Sequence, residues 1–316
     1  MKIGIPRALY FFKYGKIWEE FFKEAGFDVI ISPPTNRQIL ERGVALSVDE
    51  LCIPLKVFYG HCYWLQKRCD FVFIPRYISL IKKTFTCPKL LVLPDTARFT
   101  IPDLPILTLS FKKSDEPGII QFFLMECVIW KKNGYLNLRK KTFNPIKMHR
   151  LFKKLLQVEK EKTFKEPSFS PTSFLEPSIM VIGHPYNLED SFVNHNLFKM
   201  LEELGVKVVT SRQIPARTIQ KELDGLPFIY WSEEREIAGS AYFGLKNSSI
   251  DGIILVSSFG CGPDSLIAEQ IVQDARQFKK PVMQLFLDEN TSKINIETRL
   301  EAFVDMIRKK REKDET

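Results

Sequence analysis

The run Ile253-Ile-Leu-Val256 offers no polar side chain at any position, so a strand built from it has no face to give to water. Such a strand must be covered on both sides, which is the condition of a parallel sheet in an α/β domain. The run stops at Ser257-Ser258-Phe259-Gly260, and Leu266, Ile267, Ile271 and Val272 then recur with helical spacing. Cys261 therefore falls where a strand passes into a helix. Gly260 and Gly262 permit positive φ and close approach of a ligand, Pro263 suits a first helical turn, and Asp264 or Ser265 can cap it. Unpaired N–H groups at a helix start favour an anion, and a thiolate is the form that binds metal or attacks a substrate.

The same local chemistry occurs twice more. Cys52-Ile-Pro54 and Cys87-Pro88 each place a cysteine just before a proline with a helical pattern following. Cys62, Cys69 and Cys127 lie inside apolar or helical pattern and read as packed residues.

Along the chain, strands and helices alternate. Lys2 to Pro6 reads as a strand, Phe11 to Ala25 as an amphipathic helix ended by Gly26, and Phe27 to Ser32 as a strand. Pro33-Pro34-Thr35 breaks the chain and caps a helix from Arg37 to Arg42. A helix from Ile53 to Cys69 carries Cys52 at its head, a strand runs from Asp70 to Pro75, and a short helix runs from Pro88 towards Asp95. Pro105 to Phe111 reads as a strand, and helices are expected over 118–132 and 145–162. Pro167, Pro171 and Pro177 among serines mark residues 164–178 as a linker between an N-terminal domain, 1–163, and a C-terminal one, 179–316. The pattern then restarts with a strand at Ser178 to Gly183, a helix from Phe192 to Leu204, Gly205, and a strand from Val206 to Thr210. Helices around Ser232 to Lys246, after Cys261 and from Thr298 to Lys310, with a strand from Pro281 to Leu287, complete the second half. The fold class is α/β: two Rossmann-like domains with mostly parallel sheets flanked by helices and a cleft between them.

At 316 residues the chain is about two domains' worth, and 45% hydrophobic with 12% aromatic residues supplies real cores. No apolar run approaches the roughly 18 residues that span a bilayer, and the first residues already form a strand rather than a secretion signal. A cytoplasmic protein is the expectation, with its six cysteines reduced and available to metal. The net charge of +8 sits in short pairs such as Lys131-Lys132 and Lys153-Lys154 that solvate helices, and no nucleic-acid-binding signature accompanies it.

Ligands in open α/β sheets gather beyond the carboxyl ends of strands. If two such domains face each other, Cys52 and Cys87 from the first converge with Cys261 from the second. Three thiolates with one open corner fit a four-iron cluster with an exposed iron or a zinc carrying one water.

Several motifs carry a resemblance in chain order: Gly4-Ile-Pro-Arg7, Val48-Asp-Glu-Leu-Cys52-Ile-Pro-Leu-Lys-Val57, Gly60-His61, Ile74-Pro-Arg76, Cys87-Pro-Lys89, Leu93-Pro-Asp95, Gly183-His-Pro-Tyr-Asn187, Phe259-Gly-Cys-Gly-Pro-Asp264 and Asp288-Glu289 with Thr298-Arg-Leu-Glu-Ala-Phe303. From residue 2 to about 306 the chain resembles the acyl-CoA dehydratase activase-related family, similar to 2-hydroxyacyl-CoA dehydratase subunits and to a region fused to large CoA-protein activases. The resemblance implies two Rossmann-like domains holding an iron–sulfur cluster, 4Fe-4S, on Cys52, Cys87 and Cys261. It also implies low-potential electrons from an ATP-dependent activase or a dehydratase-like subunit as partner, and an acyl-CoA or other small molecule as substrate. The chemistry would be that of a dehydratase-like lyase, a cluster-dependent reductase or an electron-transfer accessory in anaerobic metabolism, in a homo- or heterodimer. Asp288 to Asn295 departs from the version expected of relatives, and no Gly-x4-Gly-Lys-Ser/Thr loop is present, so ATP hydrolysis falls to the partner.

Arg7, Arg76 and Lys89 follow these motifs closely, and they fit either a cluster's negative charge and a thioester's phosphates or a pairing with Asp49, Glu50 or Asp95. His61 and His184 are candidate proton donors or hydrogen-bond partners of a ligand. His61, within a helix, fits a satisfied core histidine better, and His184, after a strand, fits a functional one. Glu50, Gly260, Gly262 and Asp264 complete the candidate lining. A metal-free binding or assembly module on the same fold is the competing class of function.

Overall fold

The computed structural model describes residues 1–24, 26–81, 83–112 and 176–315. The chain divides into two compact units, one of Met1–Asp49, Leu55–Thr163 and Tyr230–Ser232, the other of Glu50–Pro54, Phe164–Ile229 and Glu233–Thr316. Two short pieces, Glu50–Pro54 and Tyr230–Ser232, thus pack with the unit to which their sequence neighbours do not belong. The helices expected over 118–132 and 145–162, most of the 164–178 linker, and Cys127 lie outside the described residues.

The first unit begins with strand β1 (Lys2–Ile5), helix α1 (Phe11–Glu24) and strand β2 (Asp28–Ile31). Helices α2 (Arg37–Ala45) and α3 (Ile53–Gln66) lead to strands β3 (Phe71–Phe73) and β4 (Arg76–Ser79), and helices α4 (Pro88–Leu91) and α5 (Leu93–Thr100) to β5 (Ile106–Leu107) and β6 (Ser110–Lys112). Its main sheet has the order β2-β1-β3-β5 with every pairing parallel. The single strand expected from Pro105 to Phe111 is two, β5 and β6, and β6 pairs with β4 in a separate two-stranded sheet. The two pairings follow on from one another, because the Ile74 amide donates to the Leu107 carbonyl at 2.9 Å and the Arg76 amide to the Leu109 carbonyl at 2.7 Å across the break. Residue 36 corrects the expected cap of α2, because the Asn36 side chain accepts from the Ile39 amide at 3.1 Å while Thr35 turns its hydroxyl elsewhere.

The core of this unit is aromatic. The Trp18 and Phe22 rings lie 5.0 and 4.9 Å from Phe73, and Trp18 Nε1 donates to the Tyr77 hydroxyl at 3.0 Å. Phe21, Phe22 and Phe73 are fully buried, each adding roughly 1.5–3 kcal/mol by leaving water. Trp231 bridges to Phe85 in parallel, and the Thr84 and Ser232 hydroxyls meet at 2.6 Å.

The second unit holds β7 (Ser178–Gly183), α6 (Pro185–Glu189), α7 (Leu197–Glu203), β8 (Lys207–Thr210), α8 (Ala216–Glu222) and α9 (Ser232–Lys246). Then follow β9 (Gly252–Ser258), α10 (Gly262–Ala275), β10 (Val282–Leu287) and α11 (Lys293–Glu315). Its sheet is wholly parallel with the order β10-β9-β7-β8. Every residue of β7 and β9, its two central strands, is buried, as strands without a polar face require. Helices pack Ile219, Ala238, Tyr242, Ala268 and Ile271 into the core beside Met180 and Ile253. The chain is therefore mixed α/β with two four-stranded parallel sheets flanked by helices.

Two helices differ from expectation. The segment from Phe192 does not form one helix, because Asp190 Oδ1 accepts from the amides of Phe192 and Val193 and His195 and Asn196 take positive φ, so α7 starts only at Leu197. Helix α11 is longer at both ends than the span from Thr298 to Lys310. No described helix is long and apolar enough to cross a membrane.

Candidate functional site

The candidate site lies within the second unit, at the carboxyl ends of β7 and β9. Its placement starts with Gly183, the last residue of β7, which pairs with Val256 of β9. A Cβ on Gly183 would stand 2.4 Å from the Val256 carbonyl oxygen, so only glycine lets the two strand ends come this close. The next residue, His184, is consequently buried against the turn that follows β9. That turn contains Gly260 at φ 75°, a conformation L side chains rarely adopt. Gly262, by contrast, has no such φ and is the first residue of α10, which corrects the expectation that both glycines take positive φ. Cys261 itself caps α10 and Pro263 sits in its first turn. Ser265 does not cap either; its hydroxyl donates back to the Cys261 carbonyl at 2.8 Å.

Asp264 is likewise no cap. It is buried and turned to His184, with its Oδ1 2.9 Å from Nε2. The contact is a buried ion pair, and the other ring nitrogen of His184, Nδ1, has no hydrogen-bond partner. Glu234, from the first turn of α9, brings Oε1 to 3.8 Å from the same nitrogen. Tyr186 stacks on the imidazole with centroids 4.7 Å apart, and buried Asn187 accepts from the Ser258 hydroxyl at 2.9 Å.

The electrostatics follow from this crowding. Burial alone would lower the pKa of His184, but Asp264 and, to a lesser degree, Cys261 and Glu234 together raise it well above the ordinary value. Burial pushes the Glu234 carboxyl up to about 7, with His184 opposing and Glu233 and Asp264 assisting. The Tyr186 phenol is raised by burial first and then by the charges of Cys261, Asp264, Cys52 and Glu233. Cys52 thus belongs to the same neighbourhood as Cys261. The segment Glu50–Pro54 that carries it packs with this unit, and the Glu50 carbonyl lies 3.2 Å from where a Gly260 Cβ would be.

Cys52, Glu50, His184, Gly260, Cys261, Gly262 and Asp264 are therefore all in the second unit, whereas Cys87, Arg7, His61, Arg76 and Lys89 are in the first. Cys87 caps α4 ahead of Pro88, and Lys89 is half-buried in that helix. Arg76 pairs with Asp95 at 2.6 Å and donates to the Leu91 carbonyl. Arg7 donates from Nε to the Ser32 carbonyl at 3.2 Å and lies over the Phe11 ring. His61 is fully buried in α3 with Nε2 3.0 Å from the Thr35 hydroxyl, while Nδ1 has no partner. Cys62 is buried, and burial raises its thiol well above the ordinary value, with Cys69 adding to the shift.

Sequence reasoning missed Glu233, Glu234, Tyr186 and Asn187. The two glutamates follow Ser232 at a helix start, where acids ordinarily face the helix dipole in solvent, and nothing local says that they are buried. Tyr186 and Asn187 stood inside the Gly183-His-Pro-Tyr-Asn187 motif, and that motif was the available signal.

Among described residues, the side chains of His184, Cys261 and Asp264 form one group whose ligand atoms all lie within 4.8 Å of one another. A thiol, an imidazole and a carboxylate so arranged can bind a metal or share a proton. No curated protein matches the chain. A family model described as the CoA enzyme activase uncharacterised domain matches residues 2–214, a stretch that contains Cys52, Cys87 and His184 and ends before Cys261. With that match covering well over half of its length, the chain belongs to the family described as the CoA enzyme activase uncharacterised domain.

Proposed function

We propose that this activase-family protein is a redox protein whose centre is an iron–sulfur cluster of the four-iron class, held by Cys52, Cys87 and Cys261. One observation carries the reading: Cys52 and Cys261, far apart in sequence, belong to the same unit, where the Glu50 carbonyl comes within 3.2 Å of where a Cβ on Gly260, the neighbour of Cys261, would stand. The donor chemistry fits the group. All three cysteines are half-buried thiols outside any disulfide, each at the start of a helix, where a cluster's sulfurs and thiolates find backbone N–H donors. Of the three, Cys87 alone belongs to the first unit.

Bound there, a cluster supplies single-electron transfer at low potential. The chain's own residues set its surroundings. His184 holds positive charge beside Cys261, Asn187 fixes the Ser258 end of β9, and Tyr186 shields the imidazole from solvent. In this reading an ATP-dependent activase is the partner that supplies electrons, a dehydratase-like subunit is the alternative partner, and an acyl-CoA or another small molecule is the substrate.

The test is anaerobic iron and acid-labile sulfide analysis of the unaltered protein beside Cys52→Ala, Cys87→Ala and Cys261→Ala. Iron and sulfide in comparable amounts, lost in each variant, is the expected result. Iron content unchanged in all three overturns the ligand set, and an unaltered protein without iron leaves the metal-free binding module.

A further inference from the structure

The surroundings of His184 hold more donor atoms than the cluster reading uses. Asp264 Oδ2, Glu234 Oε2 and His184 Nδ1 are buried without a hydrogen-bond partner. Orphaned polar atoms of this kind are rare in folded proteins, and an ion is a standard reason for those that occur. Here one belongs to each of three neighbouring side chains, all at most 3% exposed. A ligand atom of His184 and one of Asp264 lie within 4.8 Å of the Cys261 thiol.

The donor types select among ions. A thiolate, an imidazole and a carboxylate together suit zinc, cobalt(II) or iron(II). Calcium and magnesium take oxygen alone, and copper(I) takes sulfur. Three protein ligands leave a fourth corner for water, as in open zinc sites. Glu234 Oε1, 3.8 Å from His184 Nε2, stands where it can accept from that water or close the shell. Cys261 is only half-buried while His184, Asp264 and Glu234 are buried, so a cation has a way in from the sulfur side.

We propose that Cys261, His184 and Asp264 form a mixed sulfur, nitrogen and oxygen site for a single divalent cation of zinc's class, independent of Cys52 and Cys87. This goes beyond the cluster reading and shares only Cys261 with it. Because Cys261 would serve both, the cation site belongs to the cluster-free chain, and a zinc-loaded chain resists cluster assembly.

The experiment is a cobalt(II) titration of the reduced, metal-free full chain with no iron or sulfide present. One equivalent should bind with a thiolate-to-cobalt charge-transfer band and the strong visible bands of four-coordination. Cys261→Ala should abolish the charge-transfer band, and His184→Gln and Asp264→Asn should weaken binding at least about tenfold. Cys52→Ala and Cys87→Ala should bind cobalt as the unaltered chain does. If the ligand variants do not fold, X-ray absorption on the zinc-loaded unaltered chain reads the same shell, and one sulfur with nitrogen and oxygen neighbours is expected. No charge-transfer band in the unaltered chain, a shell of sulfur alone, or loss of the band in Cys52→Ala or Cys87→Ala overturns the proposal. Failure here alongside iron loss in Cys52→Ala and Cys87→Ala leaves the cluster reading intact. Cobalt binding as described in a chain that takes up no iron removes the cluster reading alone.

Discussion

Each unit buries a histidine, and their surroundings drive the two in opposite directions. His61 sits in α3 of the first unit, where burial, aided by the Arg7 charge, pushes its pKa down to about 3. His184, just as buried in the second unit, is held well above the ordinary value because Asp264, Cys261 and Glu234 together outweigh burial. Loss of water sets the default for both, and the neighbours decide the outcome. An imidazole beside a threonine hydroxyl is a neutral part of the core, whereas one among two carboxylates and a thiol has the company that metal sites keep.

The largest effect that could break this contrast is acid sensitivity in the first unit. Since folded His61 stays neutral down to about 3 while the unfolded residue titrates at 6.5, the unfolded chain binds the extra proton between those values. Its stabilising contribution is thus present above pH 6.5 and lost as pH falls, by about 2 kcal/mol at pH 5 and about 4–5 kcal/mol by pH 3. Urea unfolding of the protein and of His61→Asn across that range measures it, and equal pH slopes for the two would contradict the assignment. Next comes Asp264→Asn, which leaves a buried imidazolium without its main partner and should cost about 3 kcal/mol at neutral pH. The same variant should lower the His184 pKa, and an unmoved imidazole titration by NMR would show that Asp264 is not the cause.

Smaller still is Gly183→Ala. The added carbon meets the Val256 carbonyl, and the required shift of the strand ends should cost about 2 kcal/mol and displace His184. Equilibrium unfolding together with the His184 chemical shift reads both consequences. The smallest change is Thr35→Val, which deprives His61 Nε2 of its partner and should cost about 1 kcal/mol without altering the acid sensitivity of the first unit.

Much of this fold was legible in the sequence because parallel sheets impose long-lived patterns. The apolar runs at Ser178 to Gly183 and at Ile253 name the two central strands of the second unit, and the glycine-punctuated alternation names the class. What failed depended on single backbone positions. Left-handed His195 and Asn196 delay α7, which periodicity does not register. The site was legible in part. Cys261 at a strand-to-helix turn and His184 after β7 follow from local pattern. The burial of Glu234 and the turn of Asp264 away from capping and towards His184 are tertiary facts, created only when α9 and α10 pack beside β7 and β9.

The two cysteine environments give the most direct test of the central claim that the chemistry sits at Cys261. Cys62 is fully buried in α3, its thiol pushed far from ionisation, whereas Cys261 is half-buried beside His184 and Asp264. Iron content after anaerobic preparation of Cys261→Ala beside Cys62→Ala separates them. The account predicts loss of iron in the first and retention in the second; iron retained in Cys261→Ala, or lost only in Cys62→Ala, would contradict it.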